Sequence, residues 1–297
     1  MQALRTMLNK GWSLFPRAVQ PILLWSAIYF FMVGVSVFLP IRAPDWYLYF
    51  LPRQNIYDYP PWLSVLLALI PALPFLSGLT LTGLFYALWR RRARPLHILA
   101  AFTTMPVYWV LWQGQVDVVP LLGLLSLPWG IPLVLLKPQV AVWPLWTWWR
   151  AHSNKWLIAT GTLAFLGLTM IIWGPWPLVI RPPVTIDAPY NLSLWRVWWP
   201  LGVLAVMGAL LEKDPDRAMA LGALAAPYLQ GASYFMLVPT LARLRGRALG
   251  LVWLTSWASL LVNAFGDAVR PVGALFPIAV WVALFWSARQ TREAKEC

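Results

Sequence analysis

A nearly uncharged run of apolar residues, PILLWSAIYFFMVGVSVFLP (Pro21–Pro40), decides the fold of this chain. About twenty apolar residues are what an α-helix needs to cross the hydrocarbon core of a bilayer. The polar stretch DWYLYFLPRQNIYDYPP (Asp45–Pro61) follows, and the chain is then apolar again from Trp62 to Trp89. The pattern predicts a membrane span, a loop at the membrane surface and a return into the membrane.

The composition indicates the same class of protein for the whole chain. Of the 297 residues, 60% are hydrophobic and 11% are charged, whereas soluble domains carry about 25% charged residues. We predict an all-α polytopic membrane protein with a single transmembrane domain over residues 1–297. The first twenty residues lack a cleavage pattern, so no signal peptide is expected. The one cysteine, Cys297, excludes an internal disulfide.

The distribution of basic residues predicts the topology. The net charge is +13, but the arginines and lysines separate apolar runs instead of lining one face, so we expect no nucleic-acid partner. Most of them fall on one side if the termini are cytoplasmic, as the positive-inside rule requires. We therefore predict an integral protein of a bacterial cytoplasmic membrane, with cytoplasmic termini, Arg90–Arg94 on the same side, and Asp45 facing outward.

Apolar length and proline positions predict nine to eleven transmembrane or re-entrant helices. A run over 62–73 is too short to cross and is expected to insert partly at the outer face. Prolines must kink or shorten the segments over 118–128 and 132–149. The remaining predicted segments are 21–40, 75–90, 96–112, 156–173, 197–211, 218–229, 232–241, 248–265 and 272–288.

Two features of the outward side suggest chemistry, and each has a plainer alternative. A carboxylate among tyrosines, as at Asp45, suits chemistry on a polar group attached to a lipid, but aromatic residues and solvated charges also gather at interfaces. Lys137 lies inside an apolar run, where a charge is by default a functional-site hypothesis. The alternative for Lys137 is a side chain that snorkels to the interface.

Metal and pigment sites are not expected. The two histidines, His97 and His152, both stand beside basic segments, and no cluster of histidines and cysteines exists in the sequence.

Five short motifs follow one another along the chain in an order that matches a known family. They are Asp45 ahead of Tyr59-Pro60-Pro61; Gly114-Gln115-Val116-Asp117; Lys137-Pro138-Gln139; Asn191-Leu192-Ser193; and Pro227-Tyr228 with Leu237-Val238-Pro239. Over residues 20–245 the series resembles the GT-C superfamily of polyprenyl-phosphate-sugar glycosyltransferases, in the branch of the bacterial polyprenyl-phosphate-mannose mannosyltransferases. Ala232 and Ser233 stand where some relatives carry a histidine, and the interval from Gly114 to Lys137 lacks the usual basic turn.

The resemblance implies an inverting transfer of a mannose-like hexose from a polyprenyl-phosphate donor to a lipid or glycan acceptor at the outer membrane face. Asp45 would be the general base, and Lys137 with the outer arginines would lie near the donor phosphate. No cofactor is required, although some relatives use a divalent metal. The implied substrate-binding residues are Arg53, Tyr59, Gln115, Asp117, Lys137, Gln139, Arg181, Asn191, Arg196 and Tyr228.

A second hypothesis stays open from the sequence. The chain would be a non-catalytic relative that binds lipid or serves as a scaffold for membrane protein partners, with its tryptophan surface as the interface.

Overall fold

The computed structural model describes residues 19–39, 42, 46, 60–179 and 191–296, without the side chains of 263, 267 and 290–296. These residues form helices, turns and loops, with no β-strand among them. The helices of the first part are α1 (Gln20–Val37), α2 (Trp62–Ala68), α3 (Leu73–Arg90), α4 (Pro95–Phe102), α5 (Met105–Gln113), α6 (Val118–Leu125), α7 (Ile131–Val134), α8 (Pro138–Ala151), α9 (Lys155–Trp173) and α10 (Trp176–Val179).

The second part has two 3₁₀ helices, η1 and η2, among its α-helices. In chain order it contains α11 (Leu194–Leu211), α12 (Pro215–Ala225), η1 (Gly231–Arg243), α13 (Gly246–Ser256), α14 (Ala258–Phe265), η2 (Gly266–Ala274) and α15 (Leu275–Glu296).

Several helices are long and apolar enough to cross a membrane, which indicates an integral membrane protein. Within the described residues these are α1, α9, α11 and the segment Ala268–Arg289, and two bent helix pairs raise the number from four to six. On α1 the only buried residue is Ser36, whose hydroxyl donates to Pro74 O on α3 at 3.0 Å. The predicted nine to eleven segments remain a prediction, because the other segments are shorter helices.

Several predicted spans are broken in the structure. The run over 96–112 is α4 and α5, bent by 48°. The run over 248–265 is α13 and α14, which meet at Trp257. Apolar length alone predicted one unbroken crossing in each of these two runs, because it does not indicate where a helix restarts. The predicted separation of 62–73 from 75–90 is confirmed, since α2 meets α3 at 103°.

Prolines mark the starts of many of the helices. Proline lacks an N–H and is tolerated in the first turn of a helix, where that donor would have no helical partner. The predicted interruption over 118–149 is confirmed by three separate helices, α6 to α8. Prolines stand at the first or second position of α1, α3, α4, α5, α7, α8 and α12.

The helix η1 forms the centre of the core. Every residue from Gly231 to Leu241 is buried, and η1 contacts α3, α4, α5, α6, α8, α12 and α15. A 3₁₀ helix rises about 2.0 Å per residue, so these 13 residues extend over about 26 Å. The predicted short segment 232–241 therefore lies within a longer, buried 3₁₀ helix.

Candidate functional site

The turn between α5 and α6 brings two polar side chains of the Gly114–Asp117 motif into the core. Gly114, at φ 71°, is the left-handed residue that ends α5. The Gln115 N–H donates to Val110 O at 3.0 Å and the Gly114 N–H to Leu111 O at 3.2 Å, which is a Schellman ending. The chain then reverses direction, and both polar residues are buried: Gln115 is 4% exposed and Asp117 is 1% exposed.

Lys137, which precedes α8, binds both of these side chains. Its ammonium lies 2.7 Å from Asp117 Oδ2 and donates to Gln115 Oε1 at 3.1 Å. The lysine side chain is 9% exposed, so it points into the protein and does not snorkel to an interface. Two motifs that are 20 residues apart in sequence thus form one buried triad, which we call the lysine triad (Gln115, Asp117, Lys137).

The lysine triad has one feature suited to a ligand. An ammonium has three donors, and the described contacts account for two of them. The third donor is therefore available to an acceptor on a ligand. Asp117 neutralises the lysine and fixes its position.

Two glutamines near this turn carry buried oxygen atoms that accept no hydrogen bond from any described residue, Gln113 Oε1 and Gln139 Oε1. Buried acceptors are normally satisfied by protein or water. Gln139 belongs to the predicted set and lies in the first turn of α8. Gln113 was not predicted. The signal that could have found it is its position at the polar end of an apolar helix.

A second group of motif residues joins the start of α11 to the end of α12. Asn191 is fully buried; its amide donates to Pro227 O at 3.2 Å and accepts from the Leu229 N–H at 3.0 Å. The Leu192 N–H donates to Leu229 O at 2.8 Å. The Asn191 and Pro227 motifs are therefore neighbours, and these bonds of Asn191 hold two backbone segments together.

Tyr228 and Arg196 lie beside this junction. The Tyr228 hydroxyl accepts from Gln230 Nε2 at 2.5 Å. Arg196 is half-buried in the first turn of α11, where its N–H donates to Ser193 O at 3.3 Å. Leu192 and Leu229 belong to the same continuous apolar core as Val116 and Leu136, next to the lysine triad.

Four predicted site residues, Asp45, Arg53, Tyr59 and Arg181, lie outside the described residues. The expectation that Asp45 and Lys137 act on one donor therefore stays a prediction.

The structure offers no metal site in the part of the chain that it describes, since no three His, Cys, Asp or Glu side chains gather there. His97 instead forms two hydrogen bonds with the backbone. Its Nδ1 accepts from the Arg94 N–H at 3.2 Å, so its Nε2 carries the proton and donates to Leu244 O at 2.7 Å. Both nitrogens thereby fix the starts of two helices.

A charged network occupies the turn between α11 and α12. Arg91 binds Asp216 through two bonds of 2.6 and 2.7 Å, and Arg243 binds Asp214 and Asp216 at 2.7–2.8 Å. Burial raises the pKa of both carboxyl groups, but the arginine charges and hydrogen bonds outweigh it and hold each pKa below its usual range. The network links α3, α12 and η1, and its full pairing indicates a structural role.

Comparisons of the chain with protein-family models, curated proteins and solved structures gave no match.

Proposed function

We propose that this protein is a membrane glycosyltransferase that uses a polyprenyl-phosphate hexose. The observation that supports the proposal is the pairing of the motifs that carry the family resemblance. Gln115 and Asp117 bind Lys137, and Asn191 binds the backbone at Pro227 and Leu229. Motifs far apart in sequence are thus in contact around one core.

The proposed reaction is a single displacement. The acceptor hydroxyl gives its proton to the Asp45 carboxylate, and its oxygen attacks the anomeric carbon of the hexose. The bond from that carbon to the phosphate oxygen breaks, and polyprenyl phosphate leaves with inversion of the sugar. A positioned base contributes typically about 10²–10⁴-fold to such a step.

The lysine triad suits the leaving group. Negative charge grows on the bridging oxygen as the bond breaks, and a fixed donor in a dry site stabilises it without reorganisation. The third N–H of Lys137 is that donor in the proposal, and Asp117 with Gln115 holds the ammonium in place.

The test is an assay of mannose transfer by the purified protein in lipid vesicles. Vesicles would receive radiolabelled polyprenyl-phosphate mannose together with a membrane lipid extract as acceptor, and the labelled products would be separated by organic extraction. We expect turnover by the parent chain and a loss of about 10²-fold or more in Asp45→Asn. Asp187→Asn makes the same change at an aspartate to which the resemblance assigns no role, and it should retain activity.

Full activity of Asp45→Asn would remove that residue as the base. Binding of the donor without turnover, with every acceptor fraction of the extract, would favour the non-catalytic, lipid-binding alternative.

A further inference from the structure

Two basic turns lie side by side at the end of the molecule that carries the charged network. One joins α3 to α4 and contains Arg90–Arg94; the other joins η1 to α13 and contains Arg243–Arg247. His97 Nε2 donates to Leu244 O at 2.7 Å, which ties the first turn of α4 to the residue two before α13. Asp216 accepts from an arginine of each turn.

Five of the seven arginines of these turns have no carboxylate partner among the described residues, and one of the five, Arg90, donates to Leu125 O instead. Arg91 and Arg243 are neutralised by Asp214 and Asp216. The other four are exposed, and no ion pair is found for them within the described residues. Neither α4 nor α13 has an acidic residue in its first turn. We call these four residues the basic patch (Arg92, Arg94, Arg245 and Arg247).

An apolar surface continues from the basic patch along α4 and α13. The two helices run in the same direction, because their starts are joined through His97 and their ends through a 3.0 Å bond from Trp253 Nε1 to the exposed Thr103 hydroxyl. The two helices therefore lie side by side. Four leucines on them, 62–64% exposed, form this surface: Leu96, Leu99, Leu251 and Leu254.

We infer that the basic patch and the leucines below it bind an anionic phospholipid, with the arginines on its phosphate groups and the leucines along its acyl chains. Arginine's planar fork matches phosphate oxygens and is weakly hydrated. A soluble phosphate or a nucleic acid would contact the arginines but not the leucines. A lipid matches both the charge and the apolar surface, and the patch lies where the bent pair α2–α3, a candidate span, ends.

The experiment measures lipid selectivity at the protein surface. The full chain would be reconstituted in phosphatidylcholine vesicles with spin-labelled phosphatidylglycerol or spin-labelled phosphatidylcholine, and electron paramagnetic resonance would give the motionally restricted fraction of each. Each arginine near a membrane surface is worth about fivefold in attraction to anionic lipid. We expect a preference for phosphatidylglycerol of about fivefold or more, and a fall to near parity in R92Q/R94Q/R245Q/R247Q.

A matched variant separates a site from general attraction. K155Q/K213Q/R292Q/K295Q removes four basic residues elsewhere in the chain, and it should keep the preference. R92K/R94K/R245K/R247K keeps the charge and should retain most of the preference for phosphatidylglycerol. If the fourfold glutamine variant does not fold, the pairs R92Q/R94Q and R245Q/R247Q would each be measured and should each lower the preference.

Equal selectivity for the two lipids in the parent chain would overturn the inference. So would an equal loss in the matched variant, which would indicate general electrostatic attraction. Displacement of the restricted lipid by 10 mM inorganic phosphate, where the same ionic strength of chloride fails, would identify the site as one for free phosphate and would also overturn it.

Discussion

The buried pair of Asp117 and Lys137 makes a sharp prediction about stability. Lys137→Met removes the cation that lies 2.7 Å from Asp117 and leaves a carboxylate whose side chain is 1% exposed without its partner. Breaking a buried ion pair from one side costs about 3–5 kcal/mol, because the remaining charge stays desolvated. At about 2 °C per kcal/mol for a chain of this size, the midpoint of thermal unfolding should fall by about 6–10 °C.

The double variant Asp117→Asn with Lys137→Met separates this cost from any role in the reaction. Replacing both members of a buried pair by neutral groups is often close to neutral, and the new amide can donate to Gln115 Oε1. We expect the double variant to recover most of the lost stability, with a coupling energy of about 2–4 kcal/mol. If it is stable but inactive in the transfer assay, Lys137 serves the donor as well as the fold.

The assay is intrinsic tryptophan fluorescence during heating in detergent micelles, with retention of the folded species on size-exclusion chromatography. Lys213→Met, at an exposed lysine, is the matched control and should change the midpoint by less than about 1 °C. A stability of Lys137→Met equal to that of the parent chain would refute the reasoning. The reasoning would also be refuted if the double variant lost as much stability as the two single variants together.

Three further predictions concern stability. The pKa values of Asp214 and Asp216 are lowered in the folded protein, so the two carboxylates stabilise the fold above the ordinary carboxyl pKa of about 4, and this stabilisation is lost as the pH falls through the lowered values. The thermal midpoint should therefore drop less between pH 6 and pH 3 in Asp214→Asn than in the parent chain. An identical drop in the two proteins would contradict the assignment. Arg92 has φ 54°, a left-handed conformation that costs a non-glycine residue about 1–2 kcal/mol, so Arg92→Gly should raise the midpoint by about 2–4 °C while it lowers selectivity for anionic lipid. Gly222→Ala would drive a methyl group into the Trp143 indole and should cost about 1–3 kcal/mol, whereas Gly250→Ala has open space and should be neutral or stabilising.

The helical class could be predicted from the sequence, because it depends on local pattern. Apolar length identified α1, α9 and α11, and proline spacing identified the interruptions around α6 to α8. The family resemblance implied that Lys137 and the Gly114–Asp117 motif bind substrate, but it did not predict their direct contact.

The rest depends on long-range packing that no local pattern encodes. The 3₁₀ form of η1 is favoured by the helices that surround it, and its apolar sequence alone is equally compatible with a short α-helix. The charged network shows the same limit, since Arg91 and Asp216 are 125 residues apart. Positive charges between apolar runs predicted a side of the membrane for these segments, which stays a prediction, and they did not predict which arginines would be neutralised.

The depth of the lysine triad follows from α8, which starts after Lys137 and is 14 residues long. At 1.5 Å per residue it extends about 21 Å, and near its other end Arg150 donates to Glu212 O in the charged turn. If that turn marks one membrane boundary, the triad lies about 9 Å below the opposite boundary of a hydrocarbon layer about 30 Å thick. An unpaired ammonium at that depth would be costly, which accounts for its pairing with Asp117. A water-soluble sugar nucleotide has no anchor in the membrane, whereas the polyprenyl chain of a lipid-linked donor lies in the hydrocarbon layer and holds its phosphate at the nearby surface, so the position of the triad favours the lipid-linked donor in the proposed reaction.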